Sequence, residues 1–239
     1  MLVRGVVWLG VFPERFEDTE RFIRDVVGLR EADRDQDVTQ LQTERGDVVE
    51  LFRPHAHYDF ATTGPIPGFL VDDVPAATEE LRRGGAELLG DAGRWEDHSW
   101  QHFRAADGNV YEVTAGPYEP EAKRRGLPWG GVRTAATERM AVFCRDVLGM
   151  TEQARPEGMV KLRMASGDEF EVFAQDEPDH LFMDTGPVVA FEVEDVARTR
   201  AAIEVAGVEV LGDARSEGPL TWQHFRAPDG CVYEILSRS

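Results

Sequence analysis

Along this chain the spacing of apolar residues switches between period two and a helical period in a repeating order. Residues 2–12 form an apolar, β-branched run that predicts a strand. From Asp18 onward Phe22, Ile23, Val26 and Val27 share one helical face, and Gly28 stands where a helix ends in a left-handed turn. Residues 38–43 and 48–52 read as two strands of a hairpin across 44–47. A second pass follows, with a strand at 68–71, a helix capped by Asp73, and a short strand at 87–89. Pro75 sits in the first turn of that helix, and Gly84 and Gly85 stop it. The pass closes with a hairpin of 100–105 and 110–114, whose turn takes its positive φ from Asp107-Gly108.

Residues 115–128 are rich in charge, Gly and Pro and break all periodicity. The plan then starts again, with a strand at 129–132, a helix at 138–148 ended by Gly149, and a hairpin of 160–164 and 169–173. A strand at 188–193, a helix at 196–206 ended by Gly207, and a hairpin within 222–236 complete it. Residues 99–113 read SWQHFRAADGNVYEV and residues 221–235 read TWQHFRAPDGCVYEI, identical at eleven of fifteen positions. The chain is one unit written twice, 1–115 and 129–239, joined by a linker at 116–128. Each unit holds two βαβββ passes, which predicts an α+β fold with helices covering one face of the sheets.

Composition narrows the classes. The hydrophobic fraction of 42% and aromatic fraction of 9% suit a globular protein. Against 45 Asp and Glu stand 26 Lys and Arg, a formal charge of −19. Such a surface repels phosphate backbones and anionic bilayers, so neither nucleic acid nor membrane is an expected partner. Cys144 and Cys231 fall at unmatched positions of the two units, which argues against a disulfide framework and for a reducing, cytoplasmic setting. No Ser-His-Asp order, phosphate-cradling Gly loop or Cys-x-x-Cys pair is present.

Strand parity sorts the side chains. Tyr111 and Val113 belong beneath the helices and Glu112 on the opposite face, and the same parity places Glu50, Glu171 and Glu234. These carboxylates are either exposed strand residues or line a cavity, where they need a partner. On the neighbouring strand Trp100, His102 and Arg104 share the face of Glu112, with Trp222, His224 and Arg226 as counterparts. His55, His57, His98 and His180 read as loop histidines without counterparts in the other unit.

The segments RFIRDVVGL and VFCRDVLGM, GDVVELF and GDEFEVF, GFLVDDV and AFEVEDV, and the paired hairpins resemble the vicinal oxygen chelate superfamily. Glyoxalase I, bleomycin-resistance proteins and extradiol dioxygenases belong to it. The resemblance covers nearly the whole chain and implies two tandem glyoxalase-like domains, their four modules forming curved, incompletely closed mixed sheets. It also implies a metal site built from a first-strand residue, a Glu ending the first pass, a His starting the second and a Glu on the last strand. Glu50, Glu112, Glu171 and Glu234 match. The other positions fall on Trp8 and Trp129, and on Ile66 and Val188, none of which offers a metal a lone pair.

These departures turn a chelating pocket into an apolar, aromatic one, extended by Phe52 and Phe173. The expected function is therefore a metal-free binder of a flat or cationic antibiotic or metabolite, with no cofactor, acting as monomer or homodimer. Trp8, Phe52, Ile66, Trp100, Arg104, Trp129, Phe173, Val188, Trp222 and Arg226 are its candidate ligand contacts. The alternative is an enzyme, either a metal-dependent lyase or dioxygenase using a shifted set such as His102 with Glu50 and Glu112, or a metal-free acid/base catalyst using Glu50 and Glu112. His224, Glu171 and Glu234 supply the corresponding groups of the second unit.

Overall fold

The computed structural model describes residues 2–53, 64–118 and 126–238. The first module is β1 (Val6–Val11), α1 (Phe16–Phe22), β2 (Arg30–Arg34), β3 (Val38–Gln42) and β4 (Val48–Phe52). The second is β5 (Ile66–Leu70), α2 (Val74–Arg83), β6 (Glu87–Trp95), β7 (His98–Arg104) and β8 (Val110–Ala115). The third is β9 (Trp129–Thr134), α3 (Thr137–Val142), β10 (Thr151–Ala154), β11 (Met159–Arg163) and β12 (Glu169–Ala174). The fourth is β13 (Val188–Glu192), α4 (Val196–Val205), β14 (Glu209–Glu217), β15 (Leu220–Arg226) and β16 (Val232–Arg238).

Four βαβββ modules thus build two eight-stranded mixed sheets. One runs β14-β15-β16-β13-β1-β4-β3-β2 and the other β10-β11-β12-β9-β5-β8-β7-β6. The sequence repeat divides the chain at 116–128, whereas each sheet draws one module from either side of that point. The first and fourth modules meet through the antiparallel pair β1–β13, and the second and third through β5–β9. A module carries an open edge on its first strand, and pairing it with another module removes that edge. The remaining edge strands β2, β6, β10 and β14 are polar and largely exposed, so the sheets stay open there.

Several local expectations change. β6 and β14 are nine residues long rather than short, because their outer ends pair with β7 and β15 past a bulge. β2 and β10 carry no apolar alternation and escape a pattern reading, being edge strands held by backbone pairing alone. Helices α1 and α3 end in π turns at Ile23–Val27 and Phe143–Val147. Asp73 and Asp195 cap α2 and α4 by accepting from the amides of Ala76 and Arg198.

One continuous core fills the helix side of both sheets, where Phe170 of β12 meets Phe191 of β13 edge-on. Tyr111 and Tyr233 lie in it fully buried, and each donates its hydroxyl at 2.6 Å to the turn carboxylate of Asp107 or Asp229. The Asp-Gly turns therefore brace the core as well as reversing the chain. Where the sheets adjoin, Arg45 bridges Asp47 (2.7 Å) and Asp168 (2.6 Å) and donates to the carbonyl of Val6. The two aspartates, equivalent in the repeat, accept from the amides of Leu127 and Val6. Ser166 takes the position equivalent to Arg45, so a single guanidinium serves both carboxylates.

Candidate ligand-binding site

The side of each sheet opposite the helices forms a cup, and the four glutamates share it in two pairs. Glu112 (β8) and Glu171 (β12) belong to one sheet, Glu50 (β4) and Glu234 (β16) to the other. This corrects the shifted set of His102 with Glu50 and Glu112, and the catalytic pair Glu50 and Glu112. Exchange of modules puts Glu50 in a different sheet from the other two. His102 stands with Glu112, and His224 with Glu234, as the register of β7–β8 and β15–β16 requires.

In the sheet of β5–β12 the cup holds a cavity of about 230 Å³. Its aromatic walls are Trp95, Trp100, Tyr118, Trp129 and Phe173. Its polar walls include Glu112, Glu169, Glu171, Lys161, His98 and His180. Two of the indoles lie over glycines. Trp129 covers Gly131 of its own strand and Trp100 covers Gly93 of β6, and in each case a Cβ would collide with the ring. Glycine inside a strand marks a close approach, and here it lets an indole lie flat along the cup.

Lys161 projects from β11 directly opposite Glu171 in register. Its Nζ lies 2.7 Å from Glu169, 3.7 Å from Glu171 and 5.3 Å from the centre of the Trp95 ring. Arg163 and His98 approach Glu169 from the rim, at 3.2 and 3.9 Å. Glu171 accepts from the Trp129 indole. Burial pushes Glu112 well above the usual carboxylate range, the charge of Glu171 adds to this, and the Thr114 hydroxyl opposes it. Burial raises Glu171 as well, against Lys161.

Burial lowers His102 to about 3, with His180 adding to the effect. Its Nε2 is 3.1 Å from Glu112 Oε2, yet the angles make no hydrogen bond and that nitrogen is left without a partner. We therefore read the pair as a neutral imidazole beside a carboxyl held toward its protonated form, not as an ion pair. Phe182, Trp129 and His180 crowd the same imidazole with ring centres 4.9, 6.0 and 5.6 Å away.

The other sheet repeats the plan with different side chains. Glu50 accepts from Gln40 at 2.7 Å and from the Trp8 indole, and burial raises it. His224 Nε2 lies 3.0 Å from Glu234, a hydrogen bond that works against the upward effect of burial. Phe52 stacks on Phe12 at 4.7 Å and meets Trp8 edge-on at 6.3 Å. Trp8 also packs on Val188 and Val232, and Trp222 on Val7, Ala190 and Leu236.

The expected contacts thus divide. Trp100, Trp129 and Phe173 line the cavity with Glu112 and Glu171, and Ile66 packs behind them beside Trp129. Trp8, Phe52, Val188 and Trp222 belong to the second cup. Arg104 and Arg226 end their strands and fold back onto the turns, donating to the carbonyls of Gly108 and Gly230. Asp184 and Glu209 respectively complete their pairing, which takes both guanidiniums away from the cavity.

His98 and His180, read from sequence as loop residues of little weight, line the cavity; His98 lies on β7 and His180 stacks on Phe173 at 4.1 Å. Trp95, Tyr118, Lys161 and Glu169 went unnoticed, although the β11–β12 parity that selects Glu171 also selects Lys161. His55 and His57 lie outside the described residues.

A divalent metal, as the resemblance implies for some members, does not fit these donors. Trp129 and Ile66 supply no lone pair, Trp129 already donates to Glu171, and the Lys161 ammonium puts a fixed positive charge beside it. Among the described residues no group of three His, Cys, Asp or Glu side chains is gathered as a metal site. Among them, too, no helix is long and apolar enough to cross a membrane.

No protein-family model and no curated protein sequence matches the chain. Solved structures do. A candidate dioxygenase from Bacillus subtilis superposes with a TM-score of 0.76 at 12% identity, covering 99% of this chain and 86% of that one. Glyoxalase I from Zea mays gives 0.70 at 18% identity, covering 98% and 92%. A single-substitution variant of that maize enzyme gives 0.72 at 18%, with the same coverage. The chain shares the glyoxalase-like fold of these structures; identities this low speak to fold alone.

Proposed function

We propose that this chain is a small-molecule binding protein that takes a flat or cationic antibiotic or metabolite without a metal, through the cup of the β5–β12 sheet. The observation that carries the reading is the wall of that cavity. Three indoles and a phenyl ring face the same space as Glu112, Glu169 and Glu171. Indole faces stack on planar rings and attract cations, and carboxylates in a partly dry cup pair with a positive charge. The overall charge of −19 draws cations toward the surface as well.

Titration of the protein with a panel of planar compounds, neutral and cationic, tests this through intrinsic tryptophan fluorescence. Saturable quenching by at least one class is expected. A panel that leaves the emission unchanged overturns the reading.

A second reading has one specific observation behind it. A carboxyl held toward its protonated form beside an unpartnered, neutral imidazole is an acid and a base within one proton's reach. Metal-free proton transfer on a bound ligand would use Glu112 and His102, and turnover lost in Glu112→Gln with ligand binding kept would favour it.

A further inference from the structure

We infer that the space between Glu112 and Glu171 is a subsite for one cationic nitrogen of the ligand, filled in exchange for a proton. The inference rests on the binding reading above and gives it a charge and a position. The cup already shows how it holds an ammonium. Lys161 brings its own to Glu169 at 2.7 Å, with the Trp95 ring 5.3 Å away, a carboxylate and an indole around one positive charge. That single charge is engaged mainly with Glu169. It stands 3.7 Å from Glu171, and among the described residues no Lys or Arg pairs with Glu112.

Glu112 and Glu171 share that one ammonium with Glu169, so the two cannot both ionise cheaply in a dry site. A second cation seated between them removes that cost. The walls suit an aromatic cation, since Trp100, Trp129, Phe173 and His180 line the same cavity as the pair. A separate observation points to the same place. His102 Nε2 is buried and unpartnered at 3.1 Å from Glu112 Oε2, so the structure leaves a polar atom unsatisfied beside the proposed subsite.

The groups facing Glu112 are few. Thr114 of its own strand donates to it, and His102 of β7, Glu171 and Glu169 of β12 and Lys161 of β11 surround it. Tyr118 bonds Thr114, and His98 and His180 complete the cavity with Glu177. Burial and Glu171 both favour the protonated form of Glu112. An entering cation reverses the balance, and the proton leaves to solvent. Affinity for a permanent cation therefore rises with pH, whereas an uncharged ring of the same shape gains nothing.

The probes are 10-methylacridinium, charged at every pH used, and acridine, uncharged at pH 8, both read by quenching of tryptophan emission. The cation is expected to bind about tenfold more tightly than acridine at pH 8, and to weaken several-fold by pH 5.5. Glu112→Gln, whose amide cannot ionise, is expected to pull the two affinities together and flatten the cation's pH profile. Thermal melting of the variant checks that it folds, and Glu171→Gln repeats the test from the other side. Equal affinities at pH 8, or a cation affinity independent of pH in the parent protein, overturn the subsite and leave the flat-ligand reading standing. Quenching by neither probe removes both.

Discussion

The two cups share a backbone plan and differ in what fills them. At equivalent positions, Lys161 opposite Glu171 is replaced by Gln40 opposite Glu50. Glu169 corresponds to Val48, Arg163 to Gln42, Trp95 to Glu217 and His98 to Leu220. Trp100 rests on Gly93 while Trp222 faces Arg215. One cup is an aromatic box with a buried charge network. In the other, Trp8 packs on Phe52, Val188 and Val232, the Gln40 amide and the Trp8 indole donate to Glu50, and His224 bonds Glu234. The two cups follow one backbone plan, and differences at about six positions give them different chemistry. The scaffold that orients the glutamates survives in both, so retention of a strand glutamate says little about what it now meets.

The comparison breaks most sharply at the tryptophans. Trp129 is buried against Ile66, Phe173 and Met183, whereas Trp8 is half-buried. Trp129→Ala should cost about 3–5 kcal/mol of stability in urea unfolding and abolish quenching by planar compounds. Trp8→Ala should cost less and leave that quenching in place. Equal loss of binding in both variants would mean that the cups work alike.

A transplant sharpens it further. Lys161→Gln alone leaves buried Glu169 with its rim partner Arg163 and should cost about 3 kcal/mol, the range for breaking a buried pair. Adding Glu169→Val copies the Gln40 and Val48 arrangement of the other cup and should recover most of that loss. A buried pair contributes little net stability over an apolar replacement, although one orphaned partner is expensive. If the double variant is no more stable than the single one, the network stabilises through more than its charges.

Much of this was legible in the sequence. The repeated hairpin, the Asp caps and the Gly stops announce four similar modules, and strand parity puts Glu50, Glu112, Glu171 and Glu234 on one type of face. Parity is local, however, and which modules share a sheet is decided by strand pairing across more than sixty residues. Glu50 and Glu112 looked like partners because they lie in one unit, yet β1 pairs with β13 and β5 with β9. The polar edge strands β2 and β10 left no apolar signature. His98, His180 and Lys161 have no matching residue in the other unit, so the features the units share do not point to them.

Acid stability offers the finest comparison, because His102 and Glu112 act in opposite directions. His102 titrates near 3 when folded and near 6.5 when unfolded. As pH falls through 6.5 the unfolded chain takes up a proton that the fold refuses, and stability is lost. At pH 5 the deficit is on the order of 2 kcal/mol, at roughly 1.4 kcal/mol per pH unit. Glu112 is raised when folded, so the fold keeps a proton that the unfolded chain releases above its ordinary carboxylate range, and stability is lost as pH rises. Between pH 4.5 and 6.5 the two slopes oppose each other. Urea unfolding across this window should therefore show His102→Gln more stable at pH 5 than at pH 6.5, relative to the parent protein. Glu112→Gln should show the reverse trend. Parallel profiles for the parent and His102→Gln would mean that the imidazole meets solvent, and the dry, unpartnered nitrogen beside Glu112 would have to be abandoned.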